Sequence, residues 1–193
     1  MTETKQSGGS QILKLALVLL AVAAVIAFVL GAVNEITKGP IENYLNNKRD
    51  EAYAMVMPGE GNKYEELDAG SYTNDASNTI TKLSKATDAS GNEIGYVAET
   101  TFSGAQGMIT MVIGLDPDLV CTGIGITEHS ETSGLGAKAA DPTDPFPQSM
   151  VGLEDGAMLS KDGGSVAAIS GATLTSRAVV TEIQTVIDAV KSL

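Results

Sequence analysis

Residues 15–33 form a run of 19 side chains with no charge and no strongly polar group. Coiled as a helix at about 1.5 Å per residue, the run spans roughly 28 Å, close to the ~30 Å hydrocarbon core of a bilayer. It can cross a membrane once. Lys5 and Lys14 precede it as the n-region of a cleaved signal peptide would. Two features favour an uncleaved anchor. The run is longer than an ordinary signal core, and Asn34-Glu35-Ile36-Thr37-Lys38 after it contains no small-x-small cleavage site. Orientation is left open by charge, since Lys5 and Lys14 on one side face Lys38, Lys48 and Arg49 on the other.

Beyond the anchor, residues 41–57 carry the spacing of a helix that ends at Pro58-Gly59. A polar stretch over 59–78 reads as loop with one short strand. The pattern then turns to β. Segments 80–86 and 94–101 pair across the turn Ala89-Ser90-Gly91-Asn92, and 107–115 and 119–127 pair across Asp116-Pro117-Asp118. This predicts a meander of about four strands. A proline-bearing region over 141–147 follows, then a strand over 165–169. Finally, Val179, Val180, Ile183, Val186, Ile187 and Val190 recur at helical spacing. The fold class that results is α+β: an antiparallel sheet backed by helices, preceded by one N-terminal transmembrane helix.

Charge and sulfur content remove several functions. Twelve Lys and Arg against 24 Asp and Glu make a net charge of −12, which repels a phosphate backbone and argues against nucleic-acid binding. One cysteine, Cys121, cannot close an intrachain disulfide, and with a single histidine, His129, it leaves no cluster for zinc or an iron–sulfur centre. Cys121 sits in an apolar, β-like stretch and reads as a buried, inert thiol. Redox or transfer chemistry here needs an organic cofactor or carboxylates.

Two segments stand out against this background. Ser170-Gly171-Ala172-Thr173-Leu174-Thr175-Ser176 places hydroxyls on a small-residue turn ahead of the last helix, predicted to start near Thr175 or Ser176. The first N–H groups of a helix lack internal partners and carry the positive end of its dipole, so an anion is favoured there, and Gly171 and Ala172 allow close approach. A simple Ser/Thr cap satisfies the same string. The second segment, Glu128-His129-Ser130-Glu131-Thr132-Ser133-Gly134-Leu135-Gly136, is a strand that breaks into a glycine-rich loop. A flat ring can lie against it, with Gly134 and Gly136 permitting approach, Leu135 as an apolar wall, and Glu131 and Thr132 as polar edges. His129, Ser130 and Glu131 are adjacent and do not make a hydrolase triad, which needs partners converging in space.

Taken together, the two segments resemble the membrane-anchored FMN-binding domains. Ser170-Gly171-Ala172-Thr173 followed by Leu174-Thr175-Ser176 resembles their flavinylation motif, and the second segment is similar to their Glu-His-x-Glu-Thr-Pro-Gly-Leu-Gly loop, with Ser133 in place of proline. That exchange frees one backbone angle. Residues 107–127 also resemble the family, including its Ile-Gly-x-Asp-x-x-Leu turn. A single N-terminal helix and short length bring the chain nearest to the G subunits of Rnf electron transport complexes. The related C subunits of the sodium-pumping NADH:quinone reductase share the motifs and are usually longer.

The resemblance implies that FMN is attached to Thr173 through a phosphoester installed by a separate flavin transferase. Ser170, Gly171, Ala172, Thr175 and Ser176 would surround the attachment, and Glu131, Thr132, Gly134, Leu135 and Gly136 would line the ring. Arg177 would help the helix start balance the phosphodiester charge. It further implies 1–11 as a cytoplasmic segment, 12–33 as the anchor, 34–78 as linker helix and loop, and 79–193 as an extracytoplasmic FMN-binding domain. The protein would be single-pass in the plasma membrane, partnered by the other membrane subunits of an Rnf complex that couples ferredoxin:NAD oxidoreduction to Na+ or H+ movement. No residue is expected to act as an acid, base or metal ligand, because the flavin carries the redox chemistry. Other readings are an anchored flavoprotein outside that complex, or an anchored binding module without flavin.

Overall fold

The computed structural model describes residues 8–68 and 80–193, so the expected N-terminal cytoplasmic segment and the end of the 59–78 loop lie largely outside the described residues. By contacts the chain forms two units, 1–46 and 47–193. In the first, the apolar run lies in helix α1, Gly8–Val56, which passes through Pro40 without a break. The anchor and the separately predicted 41–57 helix are therefore one element. A proline forfeits one intrahelical hydrogen bond, and the rest of the ladder carries the helix past it. Every residue from 11 to 44 is exposed, with Leu13 at 62% and Phe28 at 77%. A helix segment apolar on all sides and exposed among the described residues has the surface of a membrane span, and α1 is long and apolar enough for one.

The second unit is built on one antiparallel sheet in the order β1 (Lys63–Leu67), β2 (Ile80–Thr87), β3 (Glu93–Ser103), β4 (Met108–Leu115) and β5 (Cys121–His129). The two predicted hairpins are β2–β3 and β4–β5. The short strand expected within 59–78 is β1, and it joins the four-stranded meander as a fifth strand by pairing with β2 from Lys63↔Thr87 to Leu67↔Leu83. The predicted strand over 165–169 is not one. Only Val166 bridges, to Leu159, and the neighbouring backbone turns away to feed the final helix.

Alternation along the strands sorts side chains between two faces. Ile109, Met111, Ile113 and Leu115 of β4 join Ile124 of β5 in the larger core. Helix α3, Thr173–Lys191, covers that face with Val179, Ile183, Val186, Ile187 and Val190. Burying one such side chain contributes about 1.5–3 kcal/mol. The short helix α2, Pro145–Gln148, adds Phe146, and its Asp144 cap accepts from the Phe146 N–H. The other face receives the last turns of α1 through Ala52, Val56 and Met57. They come close because Gly114 and Gly125 lie beneath them. A Cβ at Gly125 would stand 2.7 Å from that of Ala52, and one at Gly114 would stand 2.8 Å from that of Val56.

Candidate functional site

The last helix begins earlier than its periodicity suggests. Thr173 is its first residue and Ala172 its N-cap, with φ −129° and ψ 43° and no side-chain cap bond. Thr175 and Ser176 are therefore not caps. Both are fully buried within the first turn and bond to other parts of the fold. The Ser176 hydroxyl donates to the Ala172 carbonyl (2.9 Å) and accepts from the Ile169 N–H (3.0 Å), while the Ala172 N–H returns to the Ile169 carbonyl (3.0 Å). These bonds close the turn at its base. Gly171, at φ +78°, then carries Ser170 and itself outward in a backbone conformation that other residues rarely take. Because alanine cannot cap, the first N–H groups of α3 are left without a side-chain acceptor, and the positive end of the dipole faces outward.

The Thr173 hydroxyl sits at that end. It accepts a hydrogen bond from the Lys161 ammonium at 3.1 Å. Arg177, expected to help there, is committed elsewhere: its Nε and Nη2 donate to the two oxygens of Asp162, each at 2.8 Å. Those bonds hold the Asp162 carboxyl below the usual range. They also tie the 3₁₀ turn Ser160–Asp162 to the first turn of α3. Lys161 had no sequence signal, since nothing in local spacing connects it to a threonine twelve residues on.

The glycine-rich loop reaches the same place from the end of β5. Glu131 is buried, and its Oε2 accepts from the Thr175 hydroxyl (2.6 Å) while Oε1 accepts from the Gln106 N–H (3.0 Å). Burial alone pushes this carboxyl up, but the bonds from Thr175, Gln106 and Ala105 outweigh it and hold it below the usual glutamate range. Glu131 is thus a strut between loop and helix. Gly136 is buried too. A Cβ there would meet the Glu131 side chain and stand 2.9 Å from the Thr175 hydroxyl, so this glycine makes room for the strut.

Thr132, Gly134 and Leu135 remain exposed. Leu135 lies beside the turn, its Cδ2 3.1 Å from where a Cβ on Gly171 would be. With Leu174, 64% exposed, it sets an apolar side chain on the surface near Thr173. A cavity of about 420 Å³ opens next to Ser170, walled by Lys138, Phe146, Ser149 and Ile169. That volume falls within the range of small-molecule sites. An outward hydroxyl at an uncapped helix start, an ammonium beside it and apolar surface around it fit a phosphate-bearing aromatic group. His129 is exposed at the strand end, where its Nδ1 accepts from the Glu131 N–H at 3.3 Å. Cys121 is buried and its thiol pushed up to about 12 by that burial. Among the described residues there is no cluster of three or more potential metal ligands.

A family model described as the FMN-binding domain matches residues 104–188, which include both the loop and the Thr173 turn. The chain is 34% identical over 188 residues to the G subunit of the ion-translocating oxidoreductase complex of Methanosarcina acetivorans, covering 96% of this chain and 98% of the relative. It is 29% identical over 193 residues to the G subunit of the Na(+)-translocating ferredoxin:NAD(+) oxidoreductase complex of Acetobacterium woodii, covering 94% and 93%. With the G subunit of the ion-translocating oxidoreductase complex of Pasteurella multocida it shares 30% over 179 residues, covering 86% and 88%.

Proposed function

The chain belongs to the family of G subunits of ion-translocating oxidoreductase complexes, and on that premise we propose that it is a membrane-anchored electron carrier holding FMN covalently on Thr173. Its complex is of the Rnf type, passing electrons between reduced ferredoxin and NAD and coupling them to Na+ or H+ movement. Bound FMN supplies reversible one- and two-electron transfer. The chain itself supplies position. The observation that carries this reading is the Thr173 hydroxyl, presented outward on an uncapped helix start with Lys161 at 3.1 Å.

Each part of the site has a task that its geometry supports. The Gly171 turn and Ala172 bring backbone N–H groups close to a phosphodiester on Thr173, and the helix dipole favours its single negative charge. Leu135 and Leu174 offer apolar surface to the isoalloxazine, and the cavity beside Ser170 offers it room. Glu131, Thr175 and Gly136 lock the loop to the helix so that ring and attachment point keep one spacing. No side chain is asked to act as acid or base.

Helix α1 anchors this domain to the plasma membrane as a single span, N-terminus inside and flavin domain outside. Its partners are the other membrane subunits of the complex and a flavin transferase that loads Thr173. Covalent attachment keeps the cofactor from being lost outside the cell.

The test is to express the full chain with and without a flavin transferase. The loaded protein should remain in the membrane fraction through a high-salt wash and keep flavin fluorescence after denaturation. The adduct should map to the tryptic peptide 162–177. An adduct on Thr175 or Ser176, or none in the presence of an active transferase, defeats the assignment to Thr173.

A further inference from the structure

We propose that Lys161 is a positioning residue for flavin attachment: its ammonium orients the Thr173 hydroxyl before the ester forms and pairs with the phosphodiester afterwards. This rests on Thr173 being the attachment site.

The Lys161 Nζ donates to Thr173 Oγ1 at 3.1 Å, and among the described residues no other side chain bonds that oxygen. Its neighbour Asp162 directs both carboxylate oxygens to Arg177, so the hydrogen bond the Lys161 ammonium makes is the one to Thr173. The base of Lys161 is rigid. The turn Ser160–Asp162 hangs between Leu159 and Val166, 1% and 3% exposed, with the Ser160 N–H donating to the Val166 carbonyl at 2.8 Å. The Arg177–Asp162 fork then fastens the turn to α3. A long, flexible side chain is so delivered from a fixed origin to one oxygen atom.

The chemistry follows from what an ammonium can do there. By donating to one lone pair of Oγ1 it orients the hydroxyl, leaving another lone pair for attack and the O–H proton for removal. The bond formed is Oγ1–P. The bond broken is the P–O link of an activated flavin phosphate, the pyrophosphate of a flavin dinucleotide, whose nucleoside monophosphate leaves. The hydroxyl proton passes to the transferase or to water, and no group changes oxidation state. The product carries one negative charge within reach of Lys161, which converts an ammonium–hydroxyl hydrogen bond into an ion pair between opposite charges.

The experiment uses the full chain in detergent with a flavin transferase and flavin adenine dinucleotide. Single-turnover loading of Lys161→Met, Lys161→Arg and the parent is followed by intact mass, and the ³¹P resonance of the loaded phosphodiester is recorded. Loss of one such bond should slow loading about three- to tenfold in the methionine variant. Arginine should restore most of the rate. The ³¹P resonance should move in the methionine variant, with the thermal midpoint unchanged because the side chain is exposed. Parent-like loading with an unmoved resonance would overturn the role of Lys161 alone. Equal slowing by Met and Arg with a lowered midpoint would do so as well, by marking a purely structural part. A parent chain that takes no FMN at Thr173 overturns the attachment reading and this inference with it.

Discussion

The Thr173 turn and the Glu131 loop look alike as strings of small and polar residues, yet the fold uses them in opposite ways. The turn displays its groups: Ser170, Gly171 and Leu174 are exposed, and Thr173 faces a lysine at the surface. The loop hides two of its residues. Glu131 and Gly136 lie under the surface and bind the loop to the first turn of α3, while Thr132, Gly134 and Leu135 stay outside. On the proposed reading, the turn supplies the point of attachment and the loop the support that fixes its distance from the ring.

Substitutions can test how sharply the two segments divide the work. The largest expected effect is on the display side. Thr173→Ala or Thr173→Val removes the acceptor oxygen and should abolish covalent FMN while leaving the thermal midpoint close to that of the parent. Thr173→Ser keeps the hydroxyl and should load in part. Peptide mass spectrometry with a melting curve decides, and residual adduct in Thr173→Ala would break the comparison at its strongest point.

Next in size is Gly136→Val, which forces a branched side chain against Glu131 and Thr175. Overpacking of this kind costs about 1–3 kcal/mol, visible as a lower denaturant midpoint before any flavin is added. A folded, parent-stable variant with an altered flavin spectrum would return Gly136 to the ring.

Glu131→Gln comes third. It keeps one acceptor oxygen where two are used, so Thr175 or Gln106 loses its partner, at about 1–3 kcal/mol. The same carboxyl makes a pH signature. Its folded pKa lies below the unfolded one, so its contribution is complete above the ordinary glutamate range and fades as pH falls through the lower folded value. Parent and variant stabilities should converge in that acid window and separate above it. Parallel curves would show that the strut carries no charge-dependent stability.

The smallest effect belongs to Gly134→Ala. No atom lies within 4 Å of the added methyl, and only the φ of +73° resists it. A cost of about 1–2 kcal/mol is the upper expectation. Should FMN be loaded, its spectrum would report whether the exposed half of the loop faces the ring.

Much of this molecule was legible along the chain. The apolar run identified the long, exposed helix α1, and alternation placed both hairpins because a strand with one covered face must repeat every two residues. Alternation also sorted β5, sending Ile124 to the α3 face and Gly125 under Ala52. Helical spacing found α3 but not its start, since Thr175 and Ser176 look like caps to a one-dimensional reading and prove to be buried members of the first turn. The segment 165–169 has strand composition, but its register is spent on a single bridge at Val166.

Local order thus determined which elements form, where hydroxyls and glycines cluster and which segment is long and apolar enough to cross a membrane, because those depend on periodicity, turn chemistry and transfer free energy. The tertiary structure alone decided which polar groups point outward. Glu131 reaches Thr175 across 44 positions, Gln106 reaches Glu131 across 25 and Lys161 reaches Thr173 across 12. Such pairings depend on how α3 lies on the sheet and how the Ser160–Asp162 turn is fastened to it, and no spacing within a motif encodes a distance between segments that only packing brings together.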